Sequence, residues 1–318
     1  MFSAPFGPIR VSWHEDDLCV PLGKLLGGFV SSSERGDIHV AVTGRNSCAP
    51  PAGRQIFSLG VPKAHAEGDD VLIYDGHSSA RISNSGSEIA LHFVDGALAE
   101  GEAFRAHSLP GALTVAARAH GYFHMHAAVM RLDGAGIIVS GDGHAGKSTV
   151  ATCLLESGAE WGTDDIALFG RVGGAPAIWG VPRAFHLRPR TAEMFPSIRS
   201  AGKLSTGYND ESRWEVDLST ALSGRQLRSA VLPKLIVFPK IVATGETAIS
   251  PVESAEAVAR LMMTSALVIV EALGRQIEQL SLLAEMVSSA DCYELTLGPD
   301  ALVDVMLPAH RIRAVLNR

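Results

Sequence analysis

Cysteine is scarce in this chain. The four residues, Cys19, Cys48, Cys153 and Cys292, stand far apart and form neither a CxxC pair nor a zinc-ligand spacing. A disulfide scaffold and a thiolate metal site are excluded, and a reducing, cytoplasmic setting is expected. Long apolar runs are also missing. The longest, Ala266 to Val270, lies between Arg260 and Glu271. A bilayer span needs about 20 such residues, so no membrane role is expected. The opening Met1-Phe-Ser-Ala-Pro has neither the basic start nor the apolar core of a secretion signal. Positive charge is not in excess: 27 Lys and Arg stand against 34 Asp and Glu, a net charge of −7. Nucleic acid is thereby excluded as the main partner. No internal repeat is visible.

What is present starts with core-forming capacity. The chain has 318 residues, 47% of them hydrophobic, enough for one large domain or two. It also carries 32 glycines, and three of them fall in one informative stretch. An apolar run, Gly136 to Val139, leads into Gly141-Asp142-Gly143-His144-Ala145-Gly146-Lys147-Ser148, which fits G-x-x-x-x-G-K-[ST]. Ile137, Ile138 and Val139 read as a short buried strand. After the loop, Val150, Ala151, Leu154 and Leu155 recur at helical spacing, and Gly158 punctuates the end.

Strand, loop and helix together have a physical consequence. The glycines permit the turn and leave room for phosphate oxygens. Backbone N–H groups of the loop and the positive helix end then form an anion nest. Lys147 would reach the β- and γ-phosphates, and the Ser148 hydroxyl, with Thr149 behind it, faces the same place. A surface glycine-rich turn would also match the glycines, but it leaves Lys147-Ser148 at the helix start unexplained.

A second signal lies 17 positions after Lys147, where Asp164-Asp165 interrupts an apolar run that continues with Ile166, Leu168 and Phe169. In a strand the two would point to opposite faces. Burying carboxylates without a partner is expensive, so a bound Mg²⁺ and a proton-accepting role would each give a reason. A salt-bridged pair at an exposed strand start is the alternative.

These motifs, with a histidine-bearing strand just upstream (Tyr122 to Met130, containing His124 and His126) and the turn Leu132-Asp133-Gly134, resemble the catalytic domain of HPr kinase/phosphorylase and related HPr-kinase-like serine kinases. The resemblance covers residues 120–170 well and the remainder to 318 loosely. It implies an α/β fold: a P-loop kinase core of the HPr kinase and phosphoenolpyruvate carboxykinase type with a mixed sheet, here preceded by a β-rich N-terminal region. It also implies roles. Gly141 to Thr149 would bind the nucleotide, with Lys147 on the phosphates. Ser148 and Asp165 would serve Mg²⁺. Asp164 would take the proton from the acceptor hydroxyl, and His126, with His124 as the second candidate, would tune the carboxylate. ATP and Mg²⁺ are the implied cofactors. Hexamers are known for the parent family, so a homo-oligomer is compatible with the resemblance. Two features depart from it. Gly143-His144 stands where the family has Ser-Gly, and Thr149 stands where true HPr kinases carry an acid. His144 could donate to a phosphate oxygen, meet the acceptor, or be a tolerated loop residue. No copy of the downstream signature of true HPr kinases is found, which argues against HPr as substrate.

The rest of the chain divides at 103/104. Residues 1–103 read as β-rich, with runs at 38–42, 71–74 and 89–93 between Gly, Asp, Asn and Ser. Substrate recognition, packing or dimerisation are all open to this part. The polar cluster His14, Glu15, Asp16 and Asp17 reads as a metal site or, more simply, a solvated loop. Residues 104–318 form the catalytic domain. A helix is predicted over 107–121, a hairpin turn over 170–174, and a returning run from Ala177 to Pro182. The basic segment after it supplies Arg183, His186 and Arg188 as substrate or phosphate contacts, or forms a solvated loop. Residues 199–213 read as a flap or as disorder. A strand at 235–238, two helices within 252–288, a strand at 293–297 and a helix over 300–316 complete the pattern.

The function that follows is transfer of the γ-phosphate of ATP to a hydroxyl, such as serine in a peptide or protein, including a natural-product (lasso) precursor peptide. A small-molecule kinase for a sugar or amino acid is the alternative, and a non-catalytic nucleotide-binding regulator is another. A GTPase or motor is excluded by the lack of N-K-x-D and by the early acid pair.

Overall fold

A computed structural model describes residues 9–13, 38–45, 48–58, 62–94, 108–181, 184–206, 212–218, 222–265 and 270–318. The His14 to Asp17 cluster, Cys19, Arg183, the apolar residues 266–269 and the expected 103/104 boundary lie outside them. Two compact units emerge: Met1–Phe123 with Leu267–Glu278, and His124–Ala266 with Gln279–Arg318.

The first unit holds seven strands among the described residues: β1 (Ile9–Trp13), β2 (Ile38–Arg45), β3 (Arg54–Ser58), β4 (Lys63–Glu67), β5 (Asp70–Tyr74), β6 (Ser79–Ile82) and β7 (Glu88–Val94). They pair in the order β1-β2-β7-β6-β5-β4-β3. Alternation sets the buried face: Val40 and Val42, Ala80 and Ile82, Val71 and Ile73, and Ile89 and Leu91 are all buried. Helix α1 (Leu109–Ala119) packs on β5, β6 and β7. It comes so close to the β6–β7 turn that a Cβ at Gly86 would lie 2.5 Å from the Ala116 carbonyl oxygen. Arg118 of this helix is buried, donates through Nε to the Gly274 carbonyl at 3.0 Å, and lies over the Phe123 ring. Burial, with Arg275 adding repulsion, lowers its pKa to about 10.

The second unit carries the loop and both acids. Strand β8 (Phe123–Leu132) turns through Asp133-Gly134 into β9 (Ala135–Ser140). Both turn residues have positive φ, 52° and 82°, as a two-residue hairpin of this type requires. Helix α2 (Lys147–Glu156) follows the loop. Then come β10 (Glu160–Thr163), β11 (Ile166–Val172) and β12 (Ala175–Gly180). Strand β13 (Phe185–Leu187) and the short helices α3 (Pro189–Met194) and α4 (Pro196–Ser200) precede β14 (Gly202–Thr206) and β15 (Ser212–Val216). Strands β16 (Pro233–Ile241) and β17 (Ala248–Pro251), helix α5 (Ser254–Thr264), helix α6 (Gln276–Ser288), strand β18 (Asp291–Leu297) and helix α7 (Leu307–Leu316) finish the chain.

The main sheet is mixed, ordered β12-β11-β8-β9-β16-β18-β17, with β10 also paired to β8. Strands β9 and β18 both run parallel to β16. The carboxyl ends of these three therefore meet at one edge of the sheet, where the glycine-rich loop leaves β9. The apolar face of α2, with Val150, Ala151, Leu154 and Leu155 fully buried, packs on β9, β16 and α7. Arg225 donates to the Ala159 carbonyl at 2.6 Å and also bonds the Leu155 carbonyl, closing the C-terminal end of α2. No helix among the described residues is long and apolar enough to cross a membrane.

Local expectations change in four places. The acid pair does not lie within a strand: Asp164 and Asp165 form the bend between β10 and β11. The hairpin after them turns at Gly173-Gly174, with β11 running to Val172, because those two glycines take the positive φ values of 55° and 87°. Residues 202–206 and 212–216 pair as antiparallel strands, so the expected flap keeps only 207–211 outside the described residues. The last helix starts at Leu307, after a 3₁₀ turn at Pro299–Leu302, because Pro308 is tolerated only in a first turn.

One prediction arises from α2. Cys153 is fully buried, its Sγ donates to the Val305 carbonyl at 2.6 Å, and burial pushes its thiol up to about 12. Since only the thiolate is nucleophilic, iodoacetamide at pH 8 should leave Cys153 unmodified in the native protein and modify it in urea. Rapid native labelling, mapped by peptide mass, would contradict this packing.

Candidate functional site

The site is built on the second unit from the carboxyl end of β9. Ser140 ends that strand, buried, with its Oγ 2.8 Å from Oγ1 of Thr264. The chain then turns through 141–146. Left-handed backbone falls on Gly146, φ 106°, and on His144, φ 68°, whereas Gly143 does not have positive φ. The expectation that Gly141, Gly143 and Gly146 together supply the turn's φ values is corrected at Gly143, and a histidine holds one of the strained positions. Such a conformation costs a non-glycine residue about 1–2 kcal/mol. A Cβ at Gly146 would sit 2.7 Å from Cδ1 of Leu297, so the loop passes tightly against the end of β18. Gly143 faces open space.

Lys147 begins α2 and is only 7% exposed. Its Nζ donates to the carbonyls of Gly141, at 2.7 Å, and Asp142, at 2.9 Å, which holds the ammonium under the loop. Burial lowers its pKa, and the negative charges of Asp165, Asp142 and Asp164, in that order, oppose the shift. Both acids of the pair therefore lie within electrostatic reach of the ammonium. Ser148 is half-buried, and Thr149 shares a 3.1 Å hydroxyl contact with Thr191 of α3.

A bulge precedes the acid pair. On β10, Trp161 pairs with Met130 and Thr163 pairs with Val129, leaving Gly162 as the extra residue. Gly162 lies flat against Gly180 of β12, where a Cβ at Gly180 would be 2.3 Å from the Gly162 carbonyl carbon. The bend that carries both acids follows directly. Asp164 is 5% exposed, and its Oδ2 accepts the His186 backbone N–H at 3.0 Å. Asp165 is more open. Its Oδ1 lies 2.6 Å from His126 Nδ1, and its carbonyl accepts the Ala127 N–H at 3.1 Å. His126 thus partners Asp165, and β8 and the acid bend are joined at both side chain and backbone.

The basic segment contributes unevenly. The Arg188 guanidinium, at the start of α3, lies on the His144 ring, with Nη1 2.6 Å from Nδ1 and Nη2 2.9 Å from Nε2. The ring nitrogen without a proton accepts. Arg188 is therefore brought to the loop, and His186 is brought to Asp164 through its backbone. Three parts of this geometry were missed in the sequence reading: the Gly162–Gly180 contact, the His186 N–H and the Thr149–Thr191 bridge. Glycine pairs far apart in sequence and backbone donors leave no pattern that could have flagged them.

The donor set fits a phosphate with a hard divalent cation. A Cβ on Gly143 would meet open space, the Lys147 ammonium is held by the loop carbonyls, Ser148 supplies a half-buried hydroxyl next in the chain, and Asp165 supplies a partly exposed carboxylate whose charge acts on Lys147. Among the described residues no three His, Cys, Asp or Glu side chains converge as a metal cage. A cation here would be held jointly with substrate oxygens, as Mg²⁺ commonly is.

No family model matches the chain. Nor does any curated protein. Among solved structures, the HPr(Ser) kinase/phosphatase from Coxiella burnetii is similar over 60% of this chain and 92% of its own, at 10% identity and a TM-score of 0.28. A likeness that weak carries no weight for activity, and the chemistry rests on the site itself.

Proposed function

We propose that this protein is an ATP-dependent phosphotransferase that moves the γ-phosphate to an alcohol acceptor. The observation that supports the reading is the glycine-rich loop between β9 and α2, whose Gly141 and Asp142 carbonyls hold the buried Lys147 ammonium, on which the charges of Asp165 and Asp164 also act. Phosphoryl transfer asks mainly for positioning and charge neutralisation, which an ammonium, loop N–H groups and two carboxylates supply.

In this reading Gly141 to Thr149 bind the triphosphate. Lys147 swings from the loop carbonyls to the β- and γ-phosphate oxygens. Ser148 Oγ and Asp165 would hold Mg²⁺, which neutralises phosphate charge when bound. Asp164, fixed by the His186 N–H, accepts the proton of the attacking hydroxyl. The hydroxyl oxygen forms the new P–O bond as the bond to the ADP oxygen breaks. His126 orients Asp165. Arg188 and His144 stand at the outer side of the loop and meet the transferred phosphate or the acceptor. The acceptor class we favour is serine in a peptide or protein, including a natural-product precursor peptide. A sugar or free amino acid is the competing acceptor.

The test is binding and turnover together. Mg·ATP should bind the protein, and radiolabel from the γ-position should appear on a serine-containing peptide pool. Lys147→Met keeps the aliphatic stem and removes the charge. It should weaken ATP binding about 10- to 100-fold, the weight of a charge-assisted contact. Unchanged affinity would remove the phosphate site from this loop.

A further inference from the structure

The sheet order sets a direction for whatever occupies the loop. The acid bend lies beyond β8, on one side of β9, and β16 and β18 lie on the other. A nucleotide with its terminal phosphate toward Asp164 must send its nucleoside end the opposite way. There the chain presents two turns, 242–247 after β16 and 298–303 after β18. They are tied together. The Val242 N–H donates to the Leu297 carbonyl at 3.0 Å, and the Gly298 N–H donates to Thr247 Oγ1 at 3.1 Å. Thr247 in turn donates its own N–H and hydroxyl to the Asp300 carboxylate. A Cβ at Gly298 would lie 2.4 Å from the Gly245 carbonyl oxygen, so the two turns touch. The pair is therefore a preformed ledge.

Leu302 and Val303 of the second turn are exposed apolar side chains, and a third, Ile241, stands where the ledge meets the loop. Ile241, the last residue of β16, is 59% exposed, yet its Cγ1 lies 3.4 Å from the position of a Cβ on Gly146. It borders the phosphate loop directly. A β-branched side chain left in water at the mouth of a loop suits a flat, apolar ligand face that is tethered to the phosphates. We infer that Ile241 and the ledge of residues 242–247 and 298–303 form the nucleobase subsite, with Ile241 lying against one face of the base. The inference rests on the phosphotransferase reading and adds where, and by what, the nucleoside is held. Contact with a base face and not with its edges gives weak discrimination between purines.

Mg·ATP and Mg·tripolyphosphate separate the two layers of the argument, since the second has the phosphates without the nucleoside. Ile241→Ser should weaken ATP binding about fivefold, the loss expected for tens of square ångströms of apolar contact, and leave tripolyphosphate affinity within about twofold. Equal changes for both ligands, or none for ATP, would overturn the subsite while leaving the phosphate site standing. If neither ligand binds the unsubstituted protein, the phosphotransferase reading fails and the subsite falls with it. Should Ile241→Ser not fold, Ile241→Trp takes its place. Its larger stacking face should tighten ATP about threefold with tripolyphosphate unchanged, and no selective gain would count against the subsite.

Discussion

Asp164→Asn should abolish phosphoryl transfer while leaving the fold and ATP binding intact. A positioned general base is worth about 10²–10⁴ in rate, so turnover should fall by that factor. Structure gives the reason the loss should be confined to chemistry. The Asp164 side chain is almost fully buried, and its Oδ2 accepts one backbone N–H, from His186. Asparagine keeps an oxygen for that donor and removes a charge that is almost fully buried. Burying a charge is costly, so the melting temperature should stay level or rise. Two measurements check this: single-turnover transfer to a serine acceptor, and a thermal melt. Full residual transfer would reassign the base, and the natural next candidate is Asp165, through its His126 partner. A large fall in stability would mean that the carboxylate is a structural anchor.

Gly180→Ala should strongly destabilise the second unit. The new Cβ would fall 2.3 Å from the carbonyl carbon and 2.6 Å from the Cα of Gly162. Both are backbone atoms, so no rotamer change relieves the overlap, and β10 and β12 must separate. Overpacking of this kind costs about 3 kcal/mol, or a melting temperature lower by about 6–12 °C for a unit of this size. Activity should fall further than the unfolded fraction explains. Gly162 is the bulged residue two positions before Asp164, and a shift of about 1 Å in a catalytic group is enough to cost two orders of magnitude in rate. A melt within a degree or two of the parent, with normal turnover, would show that the two strands tolerate separation and that the bulge does not position the acids.

Several elements were legible in advance for identifiable reasons. Strand β9, the loop and α2 follow from a buried apolar triplet, a glycine motif and a helical apolar face. All three signals are local, within about 20 residues. The Asp133-Gly134 turn is equally local, since its positive φ values suit those residue types. The acid pair was legible as a pair but not as a bend, because the apolar residues flanking it read as one continuous strand. The break comes from Gly162, whose partner Gly180 lies on another strand. His144 was flagged as a departure, but its contact with Arg188 spans 44 positions and leaves no periodic trace.

By itself the sequence determined the loop, the helix that follows it, the acids and the histidine upstream, because each depends on spacing within one strand or one helical turn. Only the tertiary structure decided that His126 meets Asp165, that the His186 N–H holds Asp164, and that Ile241 stands open beside Gly146. Those contacts depend on sheet order and on backbones close enough to exclude a Cβ. Both are set by packing between segments distant in the chain, where no local preference of a residue reaches.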